Sequence, residues 1–171
     1  MDFMETERLL QENPSYRAWW HMARAYNSMS GLLDRFFEDW GITGAQFGVL
    51  RCTSDAGPDG LMLSDLSKRL MVTCGNITGV VDRLEQAGFL RRERCAEDRR
   101  VVRAQLTPEG RELYQKIMPA FQELLIQILS PLSMEEREQL SDLSAQFGRA
   151  IDQFRQDGAG RPVALGGASD D

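Results

Sequence analysis

The arginines are the side chains of this sequence whose type and spacing point to chemistry. Six of them lie between Leu90 and Ala104, and a guanidinium group suits phosphate oxygens and the edge of guanine. His21 is the only histidine, and the three cysteines form no C-x-x-C pair, so neither a catalytic triad nor a metal cluster is indicated. The sequence therefore favours a nucleic-acid-binding protein over an enzyme, with no cofactor and no metal.

The charge distribution supports this interpretation. Residues 63–106 hold nine lysines and arginines against six aspartates and glutamates, a net charge of +3. The remainder carries −9, which gives the chain its net charge of −6. An acidic protein that concentrates positive charge in one segment is suited to bind phosphates there. The alternative is a solvated strand pair with ordinary surface arginines.

Two short helices are predicted in front of the arginines. Ser64 and Thr73 are of the residue types that cap helix N-termini. Gly88 is expected to end the second helix, because glycine readily adopts the left-handed conformation. Behind each cap, apolar residues recur every three or four positions, as on one face of a helix: Leu66 and Leu70, then Ile77, Val80, Val81 and Leu84.

A basic β-hairpin is predicted after these helices. Its first strand begins at Phe89–Leu90, its tip lies at 96–99, and its second strand alternates between two faces. One face would carry Val102, Ala104 and Leu106, and the other Val101, Arg103 and Gln105. The expected fold is mainly α with a small β-wing (α+β), a winged helix-turn-helix. Its second helix fits a major groove, and its hairpin can reach the minor groove.

The same segment resembles the MarR family of bacterial transcription regulators. The family motif is D-x-R, three residues, an apolar position, any residue and L-T; it is met here by Asp98, Arg100, Ala104, Leu106 and Thr107. Ala104 stands where a larger aliphatic residue is usual. The resemblance implies a homodimer, joined through its terminal helices, on a pseudo-palindromic operator in double-stranded DNA. Such a dimer spaces its recognition helices about 34 Å apart.

The predicted organisation surrounds this module with long dimerisation helices. Residues 1–14 form a frayed lead or short helix, 15–154 the MarR-type domain, and 155–171 a disordered tail. Within the domain, the winged core spans 63–107, and the dimerisation helices span 15–40, 108–130 and 133–154. The sequence shows neither a signal peptide nor a run of about 20 apolar residues, so a cytoplasmic protein is expected.

The resemblance places the second helix in the major groove. Asn76 could then read adenine, and Arg83 could read guanine or hold a phosphate. Arg99 is the candidate for minor-groove insertion, with Asp98 bracing Arg100. Arg92 and Arg103 are further candidates for phosphate contacts, and Gly75 would let the helix backbone approach. For Asn76, Thr78 and the arginines, plain solvent exposure is the alternative. The predicted DNA-binding residues are Ser64, Thr73, Asn76, Thr78, Gly79, Arg83, Arg91, Arg94, Asp98, Arg99 and Arg100.

The sequence is compatible with two kinds of regulation. Members of the family often bind small aromatic anions that release DNA, and the candidate ligand residues here are His21, Arg24, Trp40, Phe47 and Arg51; ordinary packing is the alternative. Cys74, near a helix N-terminus, and Cys95, among arginines, lie where thiol pKa values fall, so they could sense oxidants. The preferred hypothesis is a repressor released by a small molecule; the rivals are a thiol redox sensor and a winged-helix module that binds protein.

Overall fold

The computed structural model describes residues 3–70, 73–94 and 101–157. The described part is mainly helical with one small antiparallel sheet, as predicted. Its helices are α1 (Phe3–Glu12), α2 (Pro14–Glu38), α3 (Gly44–Asp55), α4 (Leu63–Arg69), α5 (Cys74–Gln86), α6 (Pro108–Ile128) and α7 (Met134–Gln156). Its strands are β1 (Leu61–Met62), β2 (Leu90–Arg94) and β3 (Val102–Leu106). None of these helices is long and apolar enough to cross a membrane.

Side-chain caps begin most of the long helices where the sequence predicts them. Asn13 accepts a hydrogen bond from the Tyr16 N–H, with Pro14 as the first residue of α2. Thr43 forms a reciprocal capping box with Gln46 at the start of α3. At the other end of α2, Gly41 adopts a positive φ of 69°, so α2 ends at Glu38 rather than at residue 40.

The sheet has the strand order β1-β3-β2 and contains one strand that the sequence did not indicate. Leu61 of β1 pairs with Ala104, while Leu90 of β2 pairs with Leu106. Gly60, with a φ of 68°, brings the chain into β1, and a Cβ there would overlap the Ala104 carbonyl oxygen. Only glycine tolerates this close approach, which lets the two-residue strand reach its partner.

The buried core belongs to the first of two compact units, residues 1–119 and 120–171. In this core, α3, α4 and α5 pack with the sheet and bury aliphatic side chains almost completely. The fully buried large residues are Leu50, Leu66, Ile77, Leu84, Leu90, Ile117, Val49, Val81 and Thr53. The core therefore fixes the module that contains the predicted DNA-contacting helix.

Helix α6 is tied to the base of the hairpin. The Thr107 hydroxyl donates to the Gly88 carbonyl oxygen at 2.7 Å and accepts from the Gly110 N–H at 3.0 Å. A Cβ at Gly110 would overlap the Phe89 carbonyl oxygen, so glycine is required for this contact. The helix contains Pro119 and ends at Ile128, slightly before the predicted boundary at residue 130.

Helix α7 begins with the predicted capping box and buries none of its residues within the chain. The Ser133 N–H donates to the Glu136 carboxylate at 2.8 Å, and the Glu136 N–H donates to the Ser133 hydroxyl oxygen at 3.2 Å. The helix continues through Gln156, so the predicted tail starts too early at residue 155. Residues 158–171 of that tail lie outside the described residues.

Candidate nucleic-acid interface

Helix α5 divides cleanly into a buried face and an exposed one. The Thr73 hydroxyl caps it by accepting from the Asn76 N–H at 3.4 Å, as predicted. The apolar face is at most 4% exposed and consists of Ile77, Val80, Val81 and Leu84. Asn76, Thr78 and Arg83 lie exposed on the other side, where the sequence predicts contacts to DNA. The core thus holds the helix with its polar face toward solvent.

The two glycines of α5 leave this polar face low. Among the described residues, a Cβ at Gly75 would meet nothing within 4 Å, and one at Gly79 would meet only the Arg83 guanidinium, at 3.9 Å. Packing against the described residues therefore requires neither glycine, although glycine costs a helix about 1 kcal/mol relative to alanine. Their effect is an open helix surface that a DNA backbone or base edge can approach closely.

Ser64 does not cap α4, which corrects the sequence prediction. The N-cap is Met62, which has no side-chain cap, because the chain enters the helix directly from β1. Ser64 lies inside the first turn, where its carbonyl accepts from the Ser67 hydroxyl at 2.8 Å. Its side chain is exposed, so a contact to phosphate stays a prediction.

The described part of the hairpin presents arginines in different ways. Arg94 is exposed, and Arg103 is half-buried opposite Glu93. Arg91 is also exposed, but its Nε donates to the Gln105 Oε1 at 2.9 Å, directly across the strand pair. Gln105 is only 8% exposed, although the sequence pattern did not indicate which face of the strand is buried. The reason is Gly60, whose close approach covers the Gln105 side chain.

Arg92 contacts carboxylates, which the sequence interpretation missed. Its guanidinium lies 2.5 Å from Asp82 Oδ1 and 2.7 Å from Glu85 Oε2. Burial lowers the pKa of Arg92, but hydrogen bonds and charge from these two carboxylates outweigh it, so the pKa lies above its ordinary value. A phosphate contact was predicted for Arg92, yet its guanidinium is already engaged. The sequence did contain a signal for this contact: two acidic residues, three positions apart on α5, shortly before a basic strand.

Several predicted residues lie outside what the structure describes. The tip of the wing, with Cys95, Asp98, Arg99 and Arg100, falls within the undescribed residues 95–100. Cys74 is the first residue of α5, but its side chain is not described. The wing-tip contacts and the redox hypothesis therefore stay predictions. Among the described residues, no cluster of histidine, cysteine and acidic side chains could hold a metal ion.

The candidate ligand residues separate into two groups within one chain. Phe47 is buried and stacks on Phe37, with 4.7 Å between the ring centroids. The ring of Tyr114 lies 6.0 Å from that of Phe47, so the three rings form an aromatic row. Burial and then Asp55 raise the pKa of Tyr114, whereas the charge of Arg51 opposes this shift. Trp40 joins the row through Phe36, at 6.5 Å.

His21 and Arg24 lie exposed elsewhere on α2. His21 is seventeen residues before the helix end at Glu38, which corresponds to about 25 Å along the axis. The single chain therefore does not gather the five residues around one pocket. Trp40, Phe47 and Arg51 lie at or beside the aromatic row, whereas His21 and Arg24 lie away from it.

Comparison with known proteins gives the same answer as the fold. The sequence model of the MarR family matches residues 42–102, from the turn before α3 to the start of β3. An HTH-type transcriptional regulator of Bacillus subtilis strain 168, YkoM, is 36% identical over 126 residues, covering 74% of this chain and 80% of that protein. The chain belongs to the MarR family. Its relatives are transcriptional regulators rather than enzymes, as the sequence predicts.

Solved MarR-type structures have the same fold. The S. aureus MepR–DNA complex has a TM-score of 0.71 and 25% identity, covering 77% of this chain and 96% of that one. BpsR of Bordetella bronchiseptica, whose DNA binding is regulated by 6-hydroxynicotinic acid, has a TM-score of 0.70 and 26% identity. That match covers 77% of this chain and 98% of BpsR. A DNA complex and a ligand-regulated protein are thus both among the MarR-type neighbours.

Proposed function

We propose that this MarR-family protein is a homodimeric, sequence-specific DNA-binding repressor that a small aromatic ligand releases from its operator. The exposed polar face of α5 carries the proposal, because the buried stripe behind it leaves Asn76, Thr78 and Arg83 turned outward. Asn76 would read adenine, and Arg83 would read guanine or hold a phosphate. Arg91, Arg94 and the wing-tip Arg99 would contact the flanking backbone and minor groove.

Apolar side chains exposed on two helices support a dimer. On α2 they are Trp19, Met22, Tyr26, Met29 and Leu32, and on α7 Leu140, Leu143, Phe147, Ile151 and Phe154. Each of these side chains is at least 38% exposed in the single chain. Exposed apolar surfaces of this kind are typical of protein interfaces. A second copy would cover them and would place two recognition helices on one face of the duplex.

A ligand would act by favouring a dimer geometry that does not fit DNA, and it must bind that geometry more tightly than the DNA-bound one. The aromatic row of Trp40, Phe47 and Tyr114, with Arg51 beside it, is chemically suited to an aromatic anion. The regulated neighbour BpsR makes aromatic acids the first class to test.

Fluorescence anisotropy tests the DNA-binding part of the proposal. The probe is the duplex upstream of the protein's own reading frame, or a tighter fragment selected from genomic DNA, with a scrambled duplex as control. The specific duplex should bind at least ~10³-fold more tightly, and its affinity should fall steeply with salt. Asn76→Ala and Arg83→Ala should each lower specific affinity by about 10- to 100-fold.

Arg155→Ala, at the end of α7, is the charge-matched control and should bind like the wild type. Equal, weak binding to every genomic fragment would contradict the proposal and would favour a protein-binding module.

Addition of aromatic acids to the specific complex tests whether such a ligand releases the protein from DNA. The redox alternative predicts that peroxide releases the protein from DNA without any added ligand. It also predicts that this release is lost when Cys74 and Cys95 are replaced by serine. Loss of reporter expression on binding distinguishes a repressor from an activator.

A further inference from the structure

The side chain of Arg92 joins helix α5, the proposed recognition helix, to strand β2 of the hairpin. One guanidinium nitrogen, Nη1, donates to Asp82 and to Glu85, and the other, Nη2, donates to the Thr78 carbonyl oxygen at 3.3 Å. The Arg92 backbone N–H donates to the second oxygen of Glu85 at 3.0 Å. Residues 78, 82 and 85 succeed each other by four and three positions, so they lie on one face of α5. Arg92 of β2 thus spans two turns of the helix.

This arrangement fixes geometry more than it adds stability. The side chain of Arg92 is 24% exposed, and those of Asp82 and Glu85 are 47% and 38% exposed. Partly exposed ion pairs contribute little to folding, because water screens their attraction. Several charge-assisted hydrogen bonds from one planar group nevertheless hold direction as well as distance.

The two elements joined in this way have different proposed tasks at DNA. Helix α5 carries Asn76 and Arg83, which would read bases, whereas β2 carries Arg91 and Arg94, which would contact phosphates. Base-reading side chains discriminate only if they meet the base edges in the correct register, and recognition geometry tolerates errors of about 0.5 Å. A loose joint between helix and strand would let phosphate contacts form while the bases are misread.

We propose that Arg92 is a positioning residue for DNA recognition: it sets the angle between α5 and β2, so that base-reading and phosphate-contacting side chains engage the duplex in one register. The inference rests on the proposed DNA-binding function. It assigns Arg92 an indirect role, because the carboxylates of Asp82 and Glu85 hold its guanidinium. It also assigns these two acids a function at an interface where their charge alone would repel DNA.

Four variants separate positioning from two simpler roles. Arg92→Lys keeps the charge but loses the planar fork, and Arg92→Met loses both. The double variant Asp82→Asn/Glu85→Gln removes the charged partners, while the amide oxygen introduced at position 85 can still accept from the Arg92 backbone N–H. Arg94→Met removes the same charge from the same strand at an exposed position and is the matched control.

The measurement is the affinity of each variant for the selected operator and for the scrambled duplex, with thermal unfolding recorded in parallel. Arg92→Lys, Arg92→Met and the double variant should each lower the ratio of operator to scrambled affinity by about 10- to 100-fold, the range expected when a base contact is lost. Their unfolding midpoints should stay close to that of the wild type. Arg94→Met should weaken binding to both duplexes alike and leave the ratio unchanged.

Other patterns would overturn the inference. In one such pattern, Arg92→Lys distinguishes operator from scrambled duplex as well as the wild type does, and the double variant binds both duplexes more tightly. This result would mean that Arg92 only neutralises the two acids. Equal weakening on both duplexes by Arg92→Met would make it a direct phosphate contact. A wild-type protein that prefers no duplex would refute the proposed function itself. A wild type that discriminates while both Arg92 variants keep its ratio would refute the positioning role alone.

Discussion

Helices α5 and α7 both carry apolar residues at helical spacing, yet within one chain these residues meet opposite environments. On α5, Ile77, Val80, Val81 and Leu84 are at most 4% exposed. On α7, the side chains of Leu140, Leu143, Phe147, Ile151 and Phe154 are between 38% and 64% exposed. The periodic pattern is similar, so the pattern alone does not determine what covers the helix.

The difference lies in what each helix has to pack against. Helix α5 packs on α3, α4 and the sheet, which close a core within residues 1–119. The described part of α7 buries no residue. An amphipathic helix that remains uncovered in its own chain is suited to pack against another chain. We therefore expect the winged module to provide most of the folding stability and, under the proposed dimer, α7 to contribute to association.

Leu84→Ala should give the largest effect, because it leaves a cavity in a fully buried site. The free energy of unfolding should fall by about 2–5 kcal/mol, as measured by denaturant titration. Leu143→Ala removes the same atoms from α7, where the side chain is 64% exposed. Its effect should depend on protein concentration, since it would act through the dimer. Equal, concentration-independent losses in both variants would break the contrast between the helices.

Phe147→Ala should have the next largest effect, on association rather than on folding. Aromatic anchors dominate many interfaces, so the dimer dissociation constant should rise by about 10- to 100-fold. Sedimentation equilibrium over a range of concentrations measures it. Arg149→Ala, on the opposite face of α7, is the control and should leave the constant within about threefold of the wild type. A monomeric wild-type protein would contradict the dimer outright.

The features that the sequence predicted correctly are mostly local ones. Thr43, Thr73 and Ser133 begin helices where their hydroxyls accept nearby N–H groups, and Gly88 ends α5 with a φ of 78°. A cap depends on residues within one turn, so its signal is contained in the sequence around it. The outward face of α5 followed equally well from the spacing of its apolar residues.

The features that were missed depend on distant parts of the chain. Strand β1 has only two residues, too few for a periodic signal, and it exists because Leu61 pairs with Ala104. That pairing also explains why Ser64 is not a cap, since α4 follows the strand without a break. Gln105 is buried because Gly60 approaches it from another segment.

The candidate site shows the same division. The spacing within α5 was enough to predict which residues point outward. The ties of Arg92 to Asp82 and Glu85 required the angle between helix and strand, which no local pattern contains. The candidate ligand residues share suitable side-chain types, but the sequence does not contain the distances between them. The length of α2 keeps His21 far from the aromatic row.

The smallest expected effect concerns the capping box of α7, and it sharpens the contrast because it changes this helix without touching the winged module. Hydrogen bonds from Ser133, first from its backbone and then from its side chain, lower the pKa of Glu136 below its ordinary 4.5. The folded state therefore binds a proton less readily than the unfolded state. The stabilisation by the carboxylate is fully present above the ordinary pKa and is lost as the pH falls through the lower, folded value.

Glu136→Gln provides the comparison, because an amide oxygen can still accept from the Ser133 N–H but does not titrate. The difference in thermal midpoint between wild type and variant should be largest above about pH 5 and should shrink as the pH falls below about 4. The wild type should be the more stable protein at the higher pH, since its negative charge also lies at a helix N-terminus. A difference that stays constant across this range would mean that the carboxylate contributes no more than a neutral acceptor.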